Sequence, residues 1–87
     1  MNHPVILAAR RTPIGKFGGS LAKVPSPQLG AFAIAAAIAD VPAAKSGIEE
    51  CVMGCVLQAG VGQNPARQAG LKAGLPDTLN ATTVNKV

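Results

Sequence analysis

The sequence predicts an α/β fold in the order β-α-β-α-β, with parallel strands, incomplete as an isolated chain. Short apolar runs stand at residues 4–9 and 51–57 and alternating β-formers at 81–87, and the stretches between them contain the helix starts Ser26-Pro27 and Asn64-Pro65. Strands separated by helices run parallel through right-handed crossovers. The incompleteness is compositional. Hydrophobic residues reach 48%, but Ala supplies much of that share, and Phe17 and Phe32 are the only aromatics. Small side chains bury little area at about 25 cal/mol per Å², and a chain of 87 residues hides only about 60–65% of its unfolded surface. Such a composition suits close packing inside a larger assembly.

The elements follow in order. PVILAA, residues 4–9, lacks alternation, as expected of a strand covered on both faces. A long Gly-rich connection over residues 10–25 comes next, expected to be structural and to pack across the core or a neighbouring subunit. Ser26 is the expected cap and Pro27 the first residue of a helix, QLGAFAIAAAIAD, that is apolar almost all round and therefore expected between layers. Pro42 stops it, and PAAKSG turns the chain. CVMGCVL, residues 51–57, reads as the second strand and QAGVGQ as a flexible loop. Asn64 caps a second helix, ARQAGLKAG, which Gly74 closes and Pro76 keeps from continuing. Gly70 inside that helix costs up to about 1 kcal/mol relative to Ala, which implies close approach of another backbone. ATTVNKV, residues 81–87, is the third strand.

Charge and hydropathy narrow the function. A charged fraction of 14% argues against disorder. The longest apolar run, residues 29–39, falls short of the roughly 20 residues a bilayer span needs. MNHPVILAARR has no basic region ahead of its apolar stretch, so it does not read as a signal peptide and a cytoplasmic location is the expectation. Net charge is +4, from eight Lys and Arg against four Asp and Glu, without a dense basic face or an aromatic platform for nucleic acid. A positive surface leaves one alternative open, a small basic α/β binding module for an anionic ligand without catalysis.

The chemical motifs fail one by one. Cys51 and Cys55 stand four apart, about 13 Å along a strand, too far for a disulfide, and His3 is the only histidine that could join them as a metal ligand. A buried cysteine acting as a small hydrophobe is the expectation, and a redox or metal module the alternative. GVGQNP places Pro65 where a dinucleotide fingerprint needs its third glycine, and Phe17 stands where a phosphate loop ending in Gly15-Lys16 needs Ser or Thr. His3 has no nucleophile or acid at a suggestive spacing. No catalytic residue is expected within this chain, and no metal.

Four stretches read together do carry a resemblance: PVILAA, AARRTPIGKFGGSLAKVPSPQLGA, CVMGCVLQAGVGQNPARQAGLKAGLP and ATTVNKV. The chain resembles the N-terminal part of the thiolases, and among them the acetyl-CoA acetyltransferase (acetoacetyl-CoA) type, over essentially all 87 residues. Arg10-Arg11 is a local departure, since a single Arg before Thr is commoner there. The resemblance implies the opening portion of the layered αβαβα thiolase fold, with residues 1–87 part of its N-terminal domain.

It also implies chemistry. In the family, the strand resembling TVNKV leads at once to the nucleophilic cysteine, on a turn at the start of a buried helix whose N-terminus favours the thiolate. On this expectation the chain ends one residue short of that cysteine, which neither Cys51 nor Cys55 can be. Asn85, Lys86 and Val87 are implied to set the geometry of the nucleophile turn, and Gln63, Asn64 and Arg67 to support it from the neighbouring loop and helix start. Their alternative readings are an ordinary strand end, simple capping by Asn64 and a surface Arg67. The implied enzyme joins two acetyl-CoA into acetoacetyl-CoA, and runs the reverse thiolysis, through an acyl-cysteine. Its substrates are coenzyme A thioesters and it needs no separate cofactor. The remainder of the polypeptide and a homodimeric or homotetrameric assembly are the implied partners, and this segment alone is expected to be inactive.

Overall fold

The structure, a computed structural model, describes residues 3–86. Its elements are helix α1 (Ser26–Asp40), a 3₁₀ turn (Pro42–Gly47), strand β1 (Glu50–Gly54), helix α2 (Pro65–Lys72) and strand β2 (Asn80–Val84). β1 and β2 pair in parallel, with Glu50 opposite Asn80 through to Gly54 opposite Val84. One further backbone bond prolongs the ladder at each end, Asn80 N–H to Glu49 O and Cys55 N–H to Val84 O, both 2.9 Å. The α/β class and the parallel crossover through α2 are thus as expected from the helix-separated apolar runs.

The sheet has one covered face and one bare face. Cys51, Met53, Ala81 and Thr83 alternate toward the helices, while Val52 and Val84 alternate outward and remain exposed. Cys51, Ala66, Leu75 and Leu79 form the core cluster, with Ile34, Ile38, Ile48, Met53 and Ala81 packed against it. α2 lies on both strands and α1 packs along α2. The two helices are in close contact at Gly30, where an added Cβ would stand 3.0 Å from the Ala69 methyl and 3.0 Å from Met53 Cε.

Several sequence expectations are corrected. Residues 4–9 form no strand: Val5, Ile6 and Leu7 are 74%, 89% and 64% exposed. An apolar run without alternation asks for layers on both faces and a partner for its ladder, and the described residues bring neither to it. The connection over residues 10–25 does not cross the core either. Ile14 and Phe17 on it are exposed, and its anchor is Arg10, whose guanidinium donates to both carboxylate oxygens of Asp40 at 2.7 and 2.8 Å. Those hydrogen bonds pull the Asp40 carboxyl below its ordinary value against the opposing desolvation, with the attraction between the charges adding to the effect.

The capping position of α1 is Pro25, not Ser26. Pro25 sits at φ −61° and ψ 149°, and its carbonyl accepts from the N–H groups of Gln28 and Leu29 at 3.0 and 3.1 Å, so Ser26 lies inside the first turn. α1 buries only Pro27 and Ala31, and Phe32 faces outward, because a single neighbouring helix covers a single stripe of it. β1 begins at Glu50 and stops at Gly54, short of the expected 51–57, because β2 offers it a partner only as far as Val84.

α2 ends as expected. Gly74 takes φ +87°, Leu75 N–H reaches Gly70 O at 3.0 Å and Gly74 N–H reaches Leu71 O at 3.1 Å, the paired bonds of a Schellman termination. Gly70 is different from expectation. A Cβ there would meet Leu75 Cδ1, Cys51 Sγ and Leu79 Cδ1 at 3.6–3.7 Å, which is ordinary side-chain contact rather than an approaching backbone. Among the described residues, no helix is long and apolar enough to cross a membrane.

Candidate functional site

In parallel α/β sheets the carboxyl ends of the strands are where binding and chemistry are built. Both strands here end on the same side, where Asn64, the Gln63 carbonyl and Asn85 lie, while the Arg67 side chain reaches to the entry of β2. The loop after β1 is held in shape by a carboxamide. Gln68 Nε2 donates to Val61 O at 2.8 Å and to Gln63 O at 2.7 Å, so Gln63 takes part through its backbone carbonyl. That carboxamide also lies 2.9 Å from where a Gly62 Cβ would be, and Gly62 adopts φ +85°. A side chain at Gly62 would therefore be strained and would displace the Gln68 tie.

Asn64 closes the loop and caps α2, at φ 40° and ψ 79° in the left-handed region that asparagine tolerates better than most residues. Its Oδ1 accepts from Arg67 N–H at 3.2 Å, the expected capping bond. The same oxygen accepts the Thr83 hydroxyl at 2.7 Å, and Nδ2 donates to Ala81 O at 3.2 Å. Thr83 Oγ1 in turn accepts Ala66 N–H at 3.0 Å, satisfying another free donor at the start of α2. Arg67 is no plain surface residue. It is half-buried, and its guanidinium donates to Leu79 O at 3.4 Å and Asp77 O at 3.1 Å, bracing the turn into β2.

Past the ladder, Asn85 Nδ2 donates to Val56 O at 2.9 Å, tying the continuation of β2 to the continuation of β1. Lys86 is exposed beside it, and Val87 lies outside the described residues. The structure therefore joins Asn64 to β2 and Arg67 to the turn that enters it, places Asn85 at the strand exit, and brings in two residues not expected from the sequence, Thr83 and Gln68. A Thr on an apolar-polar strand reads only as a β-former, and a Gln inside a helix reads only as helix surface. Neither residue type signals its bonds, which for Thr83 reach 17 and 19 positions along the chain and for Gln68 five and seven.

The cysteines stand apart from this cluster. Both are free thiols. Cys51 is buried under α2, its sulfur against Ala66 O at 3.5 Å, and burial pushes its thiol pKa up. It is a core hydrophobe rather than a nucleophile. Cys55 is only half-buried, with its sulfur 3.7 Å from Leu57 O. The described residues hold no group of three metal-ligating side chains. Arg10 and Arg67 are committed to internal partners, which takes two cations away from an anion-binding surface.

Comparison with known proteins places these residues in context. Residues 4–87 match the family described as thiolase, N-terminal domain. The chain is 55% identical over 87 residues to an acetyl-CoA acetyltransferase of Cupriavidus necator, covering 100% of this chain and 22% of the relative. It is 55% identical over 83 residues to acetyl-CoA acetyltransferase IB of Candida tropicalis, covering 94% of this chain and 21% of the relative. A probable acetyl-CoA acyltransferase of Staphylococcus aureus is 53% identical over 87 residues, with 100% and 22% covered. The chain thus spans about a fifth of the length of the curated relatives it matches.

Proposed function

The chain belongs to the thiolase N-terminal domain family, and from that premise we propose that the whole protein is an acetyl-CoA C-acetyltransferase to which residues 1–87 contribute scaffold. The observation that carries this reading is the 55% identity to an acetyl-CoA acetyltransferase along the entire chain. The reaction joins two acetyl-CoA molecules. A cysteine thiolate attacks the thioester carbonyl of the first, coenzyme A leaves, and the cysteine becomes acetylated. A second cysteine takes a proton from the methyl group of the next acetyl-CoA. The resulting carbanion attacks the acyl-cysteine carbonyl, the first thiolate departs, and acetoacetyl-CoA is released. Thiolysis follows the same steps in reverse. Oxyanion-stabilising groups hold the enolate and the tetrahedral charge.

In this reading neither cysteine of the reaction lies within residues 1–87, and this segment supplies position. β2 delivers the backbone through Asn85, Lys86 and Val87 to the nucleophile turn, while Gln63, Asn64 and Arg67 support it from the loop and the start of α2. The substrates are coenzyme A thioesters, with no separate cofactor. The remainder of the polypeptide completes the sheet, and the assembly is a homodimer or homotetramer located in the cytoplasm and serving fatty acid metabolism, without nucleic acid or membrane as partner.

The test uses the complete protein. Incubation with acetyl-CoA should add one acetyl group to a cysteine following Val87, seen in the mass of the intact chain and its peptides, and acetoacetyl-CoA should be cleaved in the presence of coenzyme A. Cleavage of long-chain 3-ketoacyl-CoA with none of acetoacetyl-CoA would overturn the acetoacetyl type. Absence of any acyl-cysteine would overturn the reaction.

A further inference from the structure

We infer that the Asn64–Thr83 hydrogen-bond pair is a positioning device that fixes the exit of β2, so that its loss lowers the rate of acyl transfer rather than substrate binding. This rests on the acetyltransferase reading above, because that reading makes the exit of β2 the approach to a nucleophile.

The geometry asks for an explanation beyond capping. A helix cap needs one bond, here from Arg67 N–H to Asn64 Oδ1 at 3.2 Å. Asn64 makes two more, both onto β2: it accepts the Thr83 hydroxyl at 2.7 Å and donates to Ala81 O at 3.2 Å. Thr83 completes the loop by accepting Ala66 N–H at 3.0 Å. Two residues on the helix-facing side of β2 are thereby tied to the first turn of α2, and Asn85 next in that alternation is tied to Val56 O at 2.9 Å. Among the described residues β2 has a ladder partner on one side, β1, and a strand paired on one side twists easily. Ties at 81, 83 and 85 fix its rotation about its own axis as well as its place. The ties at 81 and 83 are secured from Asn64, a non-glycine residue at positive φ, a conformation that persists where the surroundings over-determine it.

A displaced nucleophile is expensive in rate. A misplacement of about 1 Å from a change away from the chemistry can lower the rate by about 100-fold. Three substitutions in the complete enzyme separate positioning from stability. Thr83→Val keeps the shape and removes the hydroxyl, stranding Ala66 N–H. Asn64→Gly keeps the positive φ and removes every side-chain tie. Thr83→Ser restores the hydroxyl.

The readouts are kcat and KM for acetoacetyl-CoA thiolysis, and the pH profile of alkylation of the reactive cysteine by iodoacetamide. Thr83→Val and Asn64→Gly should lower kcat by about 10- to 100-fold with KM within about twofold, and should displace the alkylation profile. Thr83→Ser should return kcat to within about twofold of wild type. Unchanged kcat in both variants overturns the proposal, as does a loss that Thr83→Ser fails to restore. Should Thr83→Val not fold, Asn64→Gly, which removes the acceptor of the Thr83 hydroxyl while keeping the positive φ, decides alone by the same criterion. Wild-type enzyme with no thiolysis overturns the acetyltransferase reading and this proposal with it, whereas active wild type with unaffected variants overturns the positioning role alone.

Discussion

Gly30 and Gly70 look alike in the sequence, each an isolated glycine inside a helix, and they do different work. At Gly70 the space for a methyl group exists, with Leu75, Cys51 and Leu79 side-chain atoms at 3.6–3.7 Å. Alanine there gains helix propensity of about 0.5–1 kcal/mol and meets only ordinary contacts. At Gly30 the neighbour is the Ala69 methyl at 3.0 Å, fixed to its own backbone and unable to swing away. The propensity gain is outweighed by overpacking of about 1–3 kcal/mol. Denaturant titration of the two alanine variants should therefore give opposite signs: Gly70→Ala neutral or stabilised by up to about 1 kcal/mol, Gly30→Ala destabilised by about 1 kcal/mol net. Equal shifts in the same direction would refute the packing argument. Sequence alone marks Gly70 as unusual but cannot identify which helix glycine faces a methyl, because that depends on how α1 and α2 cross.

At the scale of elements, legibility followed whether a segment's signal was local. α2 was readable end to end, because Asn64-Pro65 and Gly74 are punctuation whose effect is confined to one turn. β1 and β2 were readable in type and direction, but their lengths are set by each other, and β1 stops where β2 ceases to pair. Residues 4–9 carry a strand's apolar pattern without forming one, because an apolar run reports a need for burial, not the presence of a partner. The Thr83 tie in the candidate site escaped for the same reason, since its partners lie 17 and 19 positions away.

The Arg10–Asp40 pair is likewise non-local, and it sets how residues near position 10 lie against the end of α1. Hydrogen bonding from Arg10 lowers the Asp40 carboxyl in the folded state. A lowered folded value means that the tie contributes fully above the unfolded carboxylate pKa and is lost as pH falls through the folded value. NMR titration should show the Asp40 carboxyl ionising at lower pH than an ordinary aspartate, with the Arg10 Nε–H signal moving in step. Asp40→Asn should fix that signal at its acid position at neutral pH, with little change in global stability because both side chains are exposed. An Arg10 signal indifferent to pH and to Asp40→Asn would refute the tie.

The molecule as a whole has more apolar surface than core. The buried hydrophobics are Ala31, Cys51, Ala66, Ala69, Leu75 and Leu79, small or medium in size, while Val5, Ile6, Leu7, Ile14, Phe17, Val52 and Leu57 are exposed. The radius of gyration is 13.6 Å, against about 12 Å for a compact domain of this length. At 87 residues the chain stands just above the roughly 70–80 below which one core rarely supplies more than about 3–5 kcal/mol, and here apolar area that would enlarge the core lies on the bare face of the sheet and on residues 4–17. The 87 residues produced alone should therefore bind a hydrophobic dye such as ANS strongly and unfold in urea with a broad, shallow transition worth less than about 3 kcal/mol. In the complete protein the same residues should be silent to the dye, and the amides of β1 and β2 should exchange orders of magnitude more slowly than in the isolated segment. A sharp, cooperative transition above about 5 kcal/mol in the isolated segment, without dye binding, would show that the small core suffices. It would remove the physical reason for assigning these residues to a larger sheet.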